Sequence, residues 1–168
     1  MDVRTAIKSQ YLAALAMLEQ AVVECPESLW YDNSYKNRFW HIAYHALFYT
    51  HLYLQDKLED FVPWDKHSDA YSSLRPPDAS EGQTADDPAP FSQDEIQEYL
   101  AICRTVVEEK TSDLDLTAES GFHWLPFGKL ELQLYNLRHL QQHTGELCER
   151  LGIAANVDVG WVAMVHDA

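Results

Sequence analysis

The chain has 168 residues, of which 46% are hydrophobic and 23% are charged, a length and composition typical of one soluble globular domain. Twelve Lys and Arg residues stand against 27 Asp and Glu residues, so the formal net charge is −15 at pH 7. From the length and composition we interpret residues 1–168 as a single domain. Nucleic acids and anionic lipid surfaces attract cationic side chains and repel an acidic chain. We therefore expect no nucleic acid and no membrane among its partners.

Four stretches show the three- and four-residue spacing of apolar side chains that predicts helices. The first covers roughly residues 3–25, and the second, roughly 37–58, is apolar on nearly all sides, which is typical of a buried helix. The third runs from Ser92, which forms a predicted capping box with Glu95, to about residue 110. The fourth covers about 127–151, and Gly152 is expected to end it.

The stretch from 59 to 91 interrupts this helical pattern. Proline lacks a backbone N–H and breaks helices, and five of the seven prolines fall here: Pro63, Pro76, Pro77, Pro88 and Pro90. The sequence therefore predicts an all-α fold, a four-helix bundle with a long connection between helices 2 and 3.

Histidines are paired one helical turn apart on two of the predicted helices. His41 and His45 lie on the second helix, and His139 and His143 lie on the fourth. Two imidazoles at this spacing can bind one cation at about 2.0–2.1 Å, and a third from another helix leaves coordination positions for water or substrate. The same spacing is also common among surface and hydrogen-bonded histidines, so both interpretations remain open on spacing alone.

Other motifs that carry chemistry are absent from the sequence. It contains no His-Glu-x-x-His zinc motif and no Glu-x-x-His di-iron motif, and it lacks the glycine-rich nucleotide-binding loops and the nucleophile elbow of hydrolases. A mononuclear histidine site is thus the main chemical candidate.

Two segments resemble the DinB/YfiT-like superfamily. The run NLRHLQQHTGEL at 136–147 resembles its last-helix signature, and WHIAYHALFYTHLYL at 40–54 resembles its second helix. The order of elements is similar over nearly the whole chain. The resemblance implies a four-helix bundle with one divalent metal bound by His139, His143 and one histidine of the second helix. That third ligand is expected to be His45, which precedes the Ala-Leu-Phe-Tyr run, with His41 as the alternative.

Members of this superfamily include low-molecular-weight-thiol S-transferases and a thiol-dependent isomerase. The resemblance therefore implies a metal-dependent enzyme, an S-transferase that joins a thiol to a small electrophilic substrate, because a bound metal lowers the pKa of a thiol or water. Zinc or nickel is the expected metal, although three imidazoles also accept copper or iron. Tyr44 and Asn136 are expected to orient water or substrate. The alternative function is non-catalytic binding of a metal or ligand by a stress-related bundle protein.

Cysteine usage and the terminal segments bear on the location and assembly of the protein. The three cysteines are far apart, as in proteins of a reducing compartment, and the first residues lack the basic and apolar regions of a signal peptide. We therefore expect a cytoplasmic protein. The segment 153–168 is apolar enough to require burial against the bundle or a second subunit, which predicts a homodimer.

Overall fold

A computed structural model describes residues 2–74 and 89–165 of the chain. Over these ranges the protein is all-α: it has six α-helices, a 3₁₀ turn at Leu58–Asp60 and no strand, only an isolated bridge between Glu119 and Gly128. The fold class predicted from the sequence is thus confirmed as all-α. The helices are α1 Val3–Glu24, α2 Glu27–Trp30, α3 Phe39–Tyr53, α4 Asp69–Ser72, α5 Gln93–Thr111 and α6 Lys129–Ala155.

Each of the four long helices, α1, α3, α5 and α6, packs against two of the others. Helix α3 contacts α5 and α6, and α1 contacts the same two helices. Their facing sides form one hydrophobic core, which is largely aromatic near α3. Because α3 is buried on nearly every side, its histidines must face other protein groups. The largest fully enclosed side chains include Tyr11, Trp30, Trp40, Tyr44, Leu47 and Tyr99.

The third predicted helix begins where its sequence indicates. The Ser92 side chain accepts a hydrogen bond from the backbone N–H of Glu95, and the Glu95 carboxylate accepts one from the backbone N–H of Ser92. This confirms the predicted capping box. Each bond satisfies an N–H that the first helical turn leaves without an intrahelical partner.

The second predicted helix is shorter than its apolar run suggested. It spans Phe39–Tyr53, rather than 37–58, because the chain turns into a loop that packs on the segment before α6. Gly121, with φ of +84°, accepts a hydrogen bond from the N–H of Leu58 at 3.3 Å. A Cβ atom at Gly121 would lie 2.0 Å from the Asp56 carbonyl oxygen, so only glycine fits there.

The predicted end of the fourth helix is wrong. Helix α6 begins at Lys129, continues through Gly152 and ends at Ala155. Its C-cap is Asn156, which adopts the left-handed conformation with φ of 54°. Asparagine tolerates this conformation better than most residues, and Gly152 is simply part of the last helical turns.

A buried lysine fixes the start of α6. Lys129 is 2% exposed, and its Nζ donates hydrogen bonds to the carbonyl oxygens of Gln55, Asp56 and Ser120 at 3.1, 2.7 and 2.6 Å. Burial lowers the pKa of Lys129 from its ordinary value. The Gln55 and Asp56 carbonyls belong to the loop after α3, and the Ser120 carbonyl belongs to the loop before α6. The ammonium group of Lys129 therefore holds these two loops together.

The connection between α3 and α5 packs on the helices through aromatic residues in its described parts. Trp64 is 5% exposed and stacks on Tyr99 at 4.7 Å between ring centroids. Tyr71 in α4 contacts Trp40 edge-on at 4.8 Å. The predicted loop residues Pro76, Pro77 and Pro88 lie outside the described residues.

The segment after α6 runs along α1 in the opposite direction. The Gln20 side chain pairs with the backbone of Gly160, and the Gln10 side chain donates to the Ala163 carbonyl oxygen. Trp161 remains 75% exposed, and the homodimer stays a prediction. None of the helices in the described ranges has both the length and the apolar character needed to cross a bilayer.

Candidate metal centre

Three histidines from two helices meet between α3 and α6. His45, His139 and His143 each offer one ring nitrogen to a group in which these atoms all lie within 4.8 Å of one another. The ring centroids of the three pairs are 4.7 to 5.0 Å apart. These are the three residues that the sequence analysis named as ligands. His45 is 9% exposed and His143 is 7% exposed.

The packing of α6 against α3 sets the position of this group. Asn136 donates to the Thr50 carbonyl oxygen at 3.2 Å, and Gln133 donates to the Tyr53 carbonyl oxygen at 3.2 Å. Both amides lie on α6 within two turns of His139, and both bond to the α3 backbone. Because residues four apart share a helix face, fixing this face of α6 also directs His139 and His143 toward α3.

His45 is oriented by a hydrogen bond to the connecting segment. Its Nδ1 lies 2.8 Å from the carbonyl oxygen of Ser72. A carbonyl can only accept, so Nδ1 carries the proton and Nε2 keeps its lone pair. Metal-binding histidines usually donate their second ring N–H to such an acceptor, which fixes the tautomer and the ring orientation.

His143 has a carboxylate as its outer partner. Its Nδ1 lies 3.3 Å from Oε2 of Glu146, and Oε1 of Glu146 accepts from Arg150 at 3.3 Å. Arg150 also donates to the Asn37 carbonyl oxygen at 2.8 Å and stacks on Tyr35 at 4.1 Å. The guanidinium thus holds the carboxylate, and the carboxylate holds the imidazole with its proton on Nδ1.

His139 completes the group through a short contact with His45. The two Nε2 atoms are 3.1 Å apart, close to the spacing of about 3 Å expected for imidazole nitrogens that share an ion at 2.0–2.1 Å. Since Nε2 of His45 has no proton, the contact requires either a proton on Nε2 of His139 or a cation between them. Nδ1 of His139 is buried and has no hydrogen-bond partner among the described residues.

Burial keeps two of these imidazoles neutral. Desolvation, with smaller contributions from the neighbouring histidines, lowers the pKa of His45 to about 3, although its hydrogen bond to the Ser72 carbonyl acts in the opposite direction. Desolvation likewise lowers the pKa of His139 to about 4, with a smaller effect from His143. Neutral imidazole is the form that coordinates metals, and no carboxylate belongs to the described group. The donor set therefore suits a divalent transition metal.

His41, the alternative ligand on α3, lies outside the group. Its Nε2 is 3.0 Å from the carbonyl oxygen of Tyr71, and its ring stacks on Trp40. His41 and His45 thus both hold the connecting segment against α3, but only His45 also faces α6. The difference follows from the 100° rotation per residue of the helix, which turns positions four apart by about 40°.

Tyr44 and Asn136, expected to orient water or substrate, are engaged in packing. The Tyr44 hydroxyl hydrogen-bonds Nδ1 of His67, whose Nε2 lies 2.9 Å from Oδ1 of Asp69. Both Tyr44 and Asn136 are fully buried, and neither lines the pocket described below. Their observed contacts fix the connecting segment and α6 to α3.

A pocket of about 580 Å³ opens beside the histidines. His45 and His139 form part of its wall, so a ligand in the pocket can reach these rings. The remaining lining residues are mostly aromatic: Lys36, Tyr49, Tyr53, Ser73, Leu74, Trp124 and Tyr135.

Comparison with known proteins adds no relative. Protein-family models, curated proteins and solved structures give no match to this chain.

The cysteines do not contribute to the group. All three are free thiols; Cys25 and Cys103 are buried and Cys148 is half-buried. Burial raises the pKa of Cys25 to about 12 and raises the pKa of the other two thiols as well. Because the thiolate is the reactive form, these side chains are poor nucleophiles, and none belongs to the histidine group.

The sequence analysis did not find the outer partners of the histidines. The contact of Glu146 with His143 could have been predicted from the sequence, because residues at positions i and i+3 lie on the same face of a helix. The Ser72 carbonyl had no such signal, since nothing in the local pattern places this loop residue beside α3. Tyr49, four residues after His45, was treated only as part of an apolar run.

Proposed function

We propose that the protein is a mononuclear, divalent-metal-dependent enzyme of the DinB/YfiT-like four-helix-bundle type, acting as a thiol-dependent S-transferase on small electrophiles. The observation that carries the proposal is the group of three largely buried imidazoles, without a carboxylate among them, beside an open pocket. Such a set suits zinc or nickel. The packing of each long helix against two others agrees with the proposed four-helix bundle.

The chain's own residues would bind and orient the reactants. His45, His139 and His143 would hold the metal, which supplies a Lewis acid able to lower the pKa of a bound thiol. The Ser72 carbonyl and Glu146 keep protons on Nδ1 of His45 and His143, so that Nε2 of each ring can coordinate. The aromatic pocket wall would exclude water from an organic electrophile. The cysteines' raised pKa values agree with a thiol supplied by a second substrate.

A second candidate is non-catalytic binding of a metal or ligand. It is favoured by one observation: no Asp, Glu or Cys is among the described residues that line the pocket. A binding protein needs no general acid or base, whereas an S-transferase must rely on its metal to generate the thiolate.

Metal analysis tests the site first. The purified protein, titrated with Zn²⁺ and with Ni²⁺, should bind one equivalent, and His139→Ala, His143→Ala and His45→Ala should each lose that binding while keeping their helical content. His41→Ala is the matched control, because His41 lies on the same helix face but outside the group. Metal bound equally by wild type and the three variants would overturn the site.

Turnover then separates the two candidates. Zinc- or nickel-loaded protein is assayed with low-molecular-weight thiols and 1-chloro-2,4-dinitrobenzene as a general electrophile. Thioether formation, in which the thiol loses its proton and displaces chloride from the ring, supports the enzyme if it is lost in His139→Ala. Stoichiometric metal without turnover over a panel of thiols and electrophiles favours the binding protein.

A further inference from the structure

The pocket beside the histidines has an unusual charge pattern for this protein. Lys36 is the one formally charged side chain among the described residues that line it, and no carboxylate accompanies it. The chain as a whole carries a net charge of −15, whereas the described residues of this pocket wall include no Asp or Glu. Such a wall is suited to a ligand that carries negative charge.

Lys66 and Arg150, two other cations near the loops that flank α3, are already paired with carboxylates. Lys66 lies 2.6 Å from a carboxylate oxygen of Glu98, and Arg150 lies 3.3 Å from one of Glu146. Lys36 is exposed and forms no ion pair within the described part of the chain. Since no carboxylate of the described ranges pairs with Lys36, its ammonium group is available to a ligand.

The rest of the wall is rich in aromatic rings. Tyr49 and Tyr53 have ring centroids 5.5 Å apart, and Tyr53 and Tyr135 have centroids 5.9 Å apart. Trp124 donates from Nε1 to the Tyr53 hydroxyl at 3.3 Å. Aromatic rings stack on, or meet the edges of, other rings, so this wall suits a planar ligand better than a flexible chain.

We propose that the pocket binds a small aromatic carboxylate, whose anionic group pairs with Lys36 and whose ring lies against Tyr49, Tyr53 and Trp124. The end of the ring opposite the carboxylate then points to His45 and His139. This inference rests on the proposed function for the chemistry at the histidines and names the class of substrate. Recognition of the carboxylate itself depends only on Lys36 and the aromatic wall.

Two isosteric probes test the charge requirement. Isothermal titration compares 4-mercaptobenzoate with 4-mercaptobenzamide, under reducing conditions and at low salt, on zinc-loaded and metal-free protein. The benzoate should bind about fivefold more tightly, as a partly exposed ion pair is worth up to about 1 kcal/mol. Lys36→Gln should remove the preference, Lys36→Glu should reverse it, and Lys36→Arg should retain it. Lys110→Gln, the same charge change on α5, should leave it unaltered.

The outcomes separate this inference from the proposed function. Equal binding of the two probes by wild type, or a preference that survives in Lys36→Gln, would overturn the carboxylate site even if zinc binds to the histidines. Failure of both probes to bind either form would overturn it as well. A benzoate preference in metal-free protein would support it even if no zinc were taken up, and that result would count against the metal site alone.

Discussion

The Nδ1 atom of His45 donates to the backbone carbonyl oxygen of Ser72 at 2.8 Å. This bond joins a buried ring of α3 to α4, a helix of four residues in the connecting segment. The orientation of one candidate ligand therefore depends on how firmly that segment packs. Tyr71 anchors the segment next to Ser72, since it contacts Trp40 and Phe91 edge-on at 4.8 and 5.9 Å.

Removal of this anchor should weaken metal binding without touching a ligand. In Tyr71→Ala the aromatic contacts next to Ser72 are lost, so the Ser72 carbonyl should move away from His45. Zinc affinity should then fall about tenfold, since outer partners of metal-binding histidines are worth 10–100-fold. Competition with a chromophoric chelator measures the change. Ser72→Ala is the matched control, because the bond uses the backbone and not the Ser72 side chain. A loss of affinity in Ser72→Ala as large as in Tyr71→Ala would contradict this account.

The carboxylate behind His143 should have a comparable effect. Glu146→Ala removes the acceptor of the His143 Nδ1 proton and should lower zinc affinity by about tenfold. The same chelator competition gives the affinity. Glu149→Ala serves as the control, since Glu149 is an exposed residue of the same helix. Equal affinities for the two variants would show that the 3.3 Å contact does not support the ring.

The buried ammonium of Lys129 should contribute strongly to stability. Lys129→Met leaves the carbonyls of Gln55, Asp56 and Ser120 without their donor, and hydrogen bonds to charged groups are worth about 1.5–3 kcal/mol. We expect the free energy of unfolding of the metal-free protein to fall by about 3 kcal/mol, measured by urea titration. Lys110→Met, on the half-buried end of α5, should change it by less than about 0.5 kcal/mol. A Lys129→Met protein as stable as the Lys110→Met protein would refute the role of this cation.

The stability of the metal-free protein should depend on His51 in mildly acid solution. Desolvation lowers the pKa of His51 to about 4, while in the unfolded chain it is expected near 6.5. As the pH falls below 6.5 the unfolded state takes up a proton that the folded state does not, so stability present above pH 6.5 is lost progressively toward pH 4. Between pH 7.5 and 5.0 this group should account for about 2 kcal/mol.

The comparison of His51→Gln with wild type isolates that contribution. Glutamine can still accept from the Tyr99 hydroxyl, which lies 3.3 Å from Nδ1 of His51, but it does not titrate. The loss of unfolding free energy between the two pH values should be about 2 kcal/mol smaller in the variant, while His123→Gln, at an exposed loop position, should behave as wild type. Parallel pH profiles for His51→Gln and wild type would exclude the effect.

Helical periodicity and capping explain why much of the architecture could be predicted. The Ser92 and Glu95 pair marks its helix start by local chemistry alone, and the two His-x-x-x-His spacings place their rings on definite helix faces. The short helices α2 and α4 were missed, because four residues do not form a stable helix without tertiary packing. The end of α6 was misplaced for a related reason: Gly152 and Asn156 both permit a left-handed cap, and the sequence does not say which one does.

The surroundings of the histidines depend on contacts between residues that are far apart in the sequence. The spacing placed His41 and His45 one turn apart on the same side, and only the packing of α6 decides which of them meets His139. The Ser72 carbonyl lies 27 residues from His45 in a segment with no regular pattern. Such contacts follow from the fold as a whole and are not encoded by spacing.

Ninety-four residues separate His45 from His139 along the chain, which places the histidine group late in biosynthesis. His45 is synthesised long before His139 and His143, so until α6 is made only one ring of the group could meet a metal. Capture of an ion by all three rings would therefore have to follow synthesis of α6 and its docking on α3. Metal would then bind after translation, and a shortage of metal would leave the fully synthesised protein in its metal-free form.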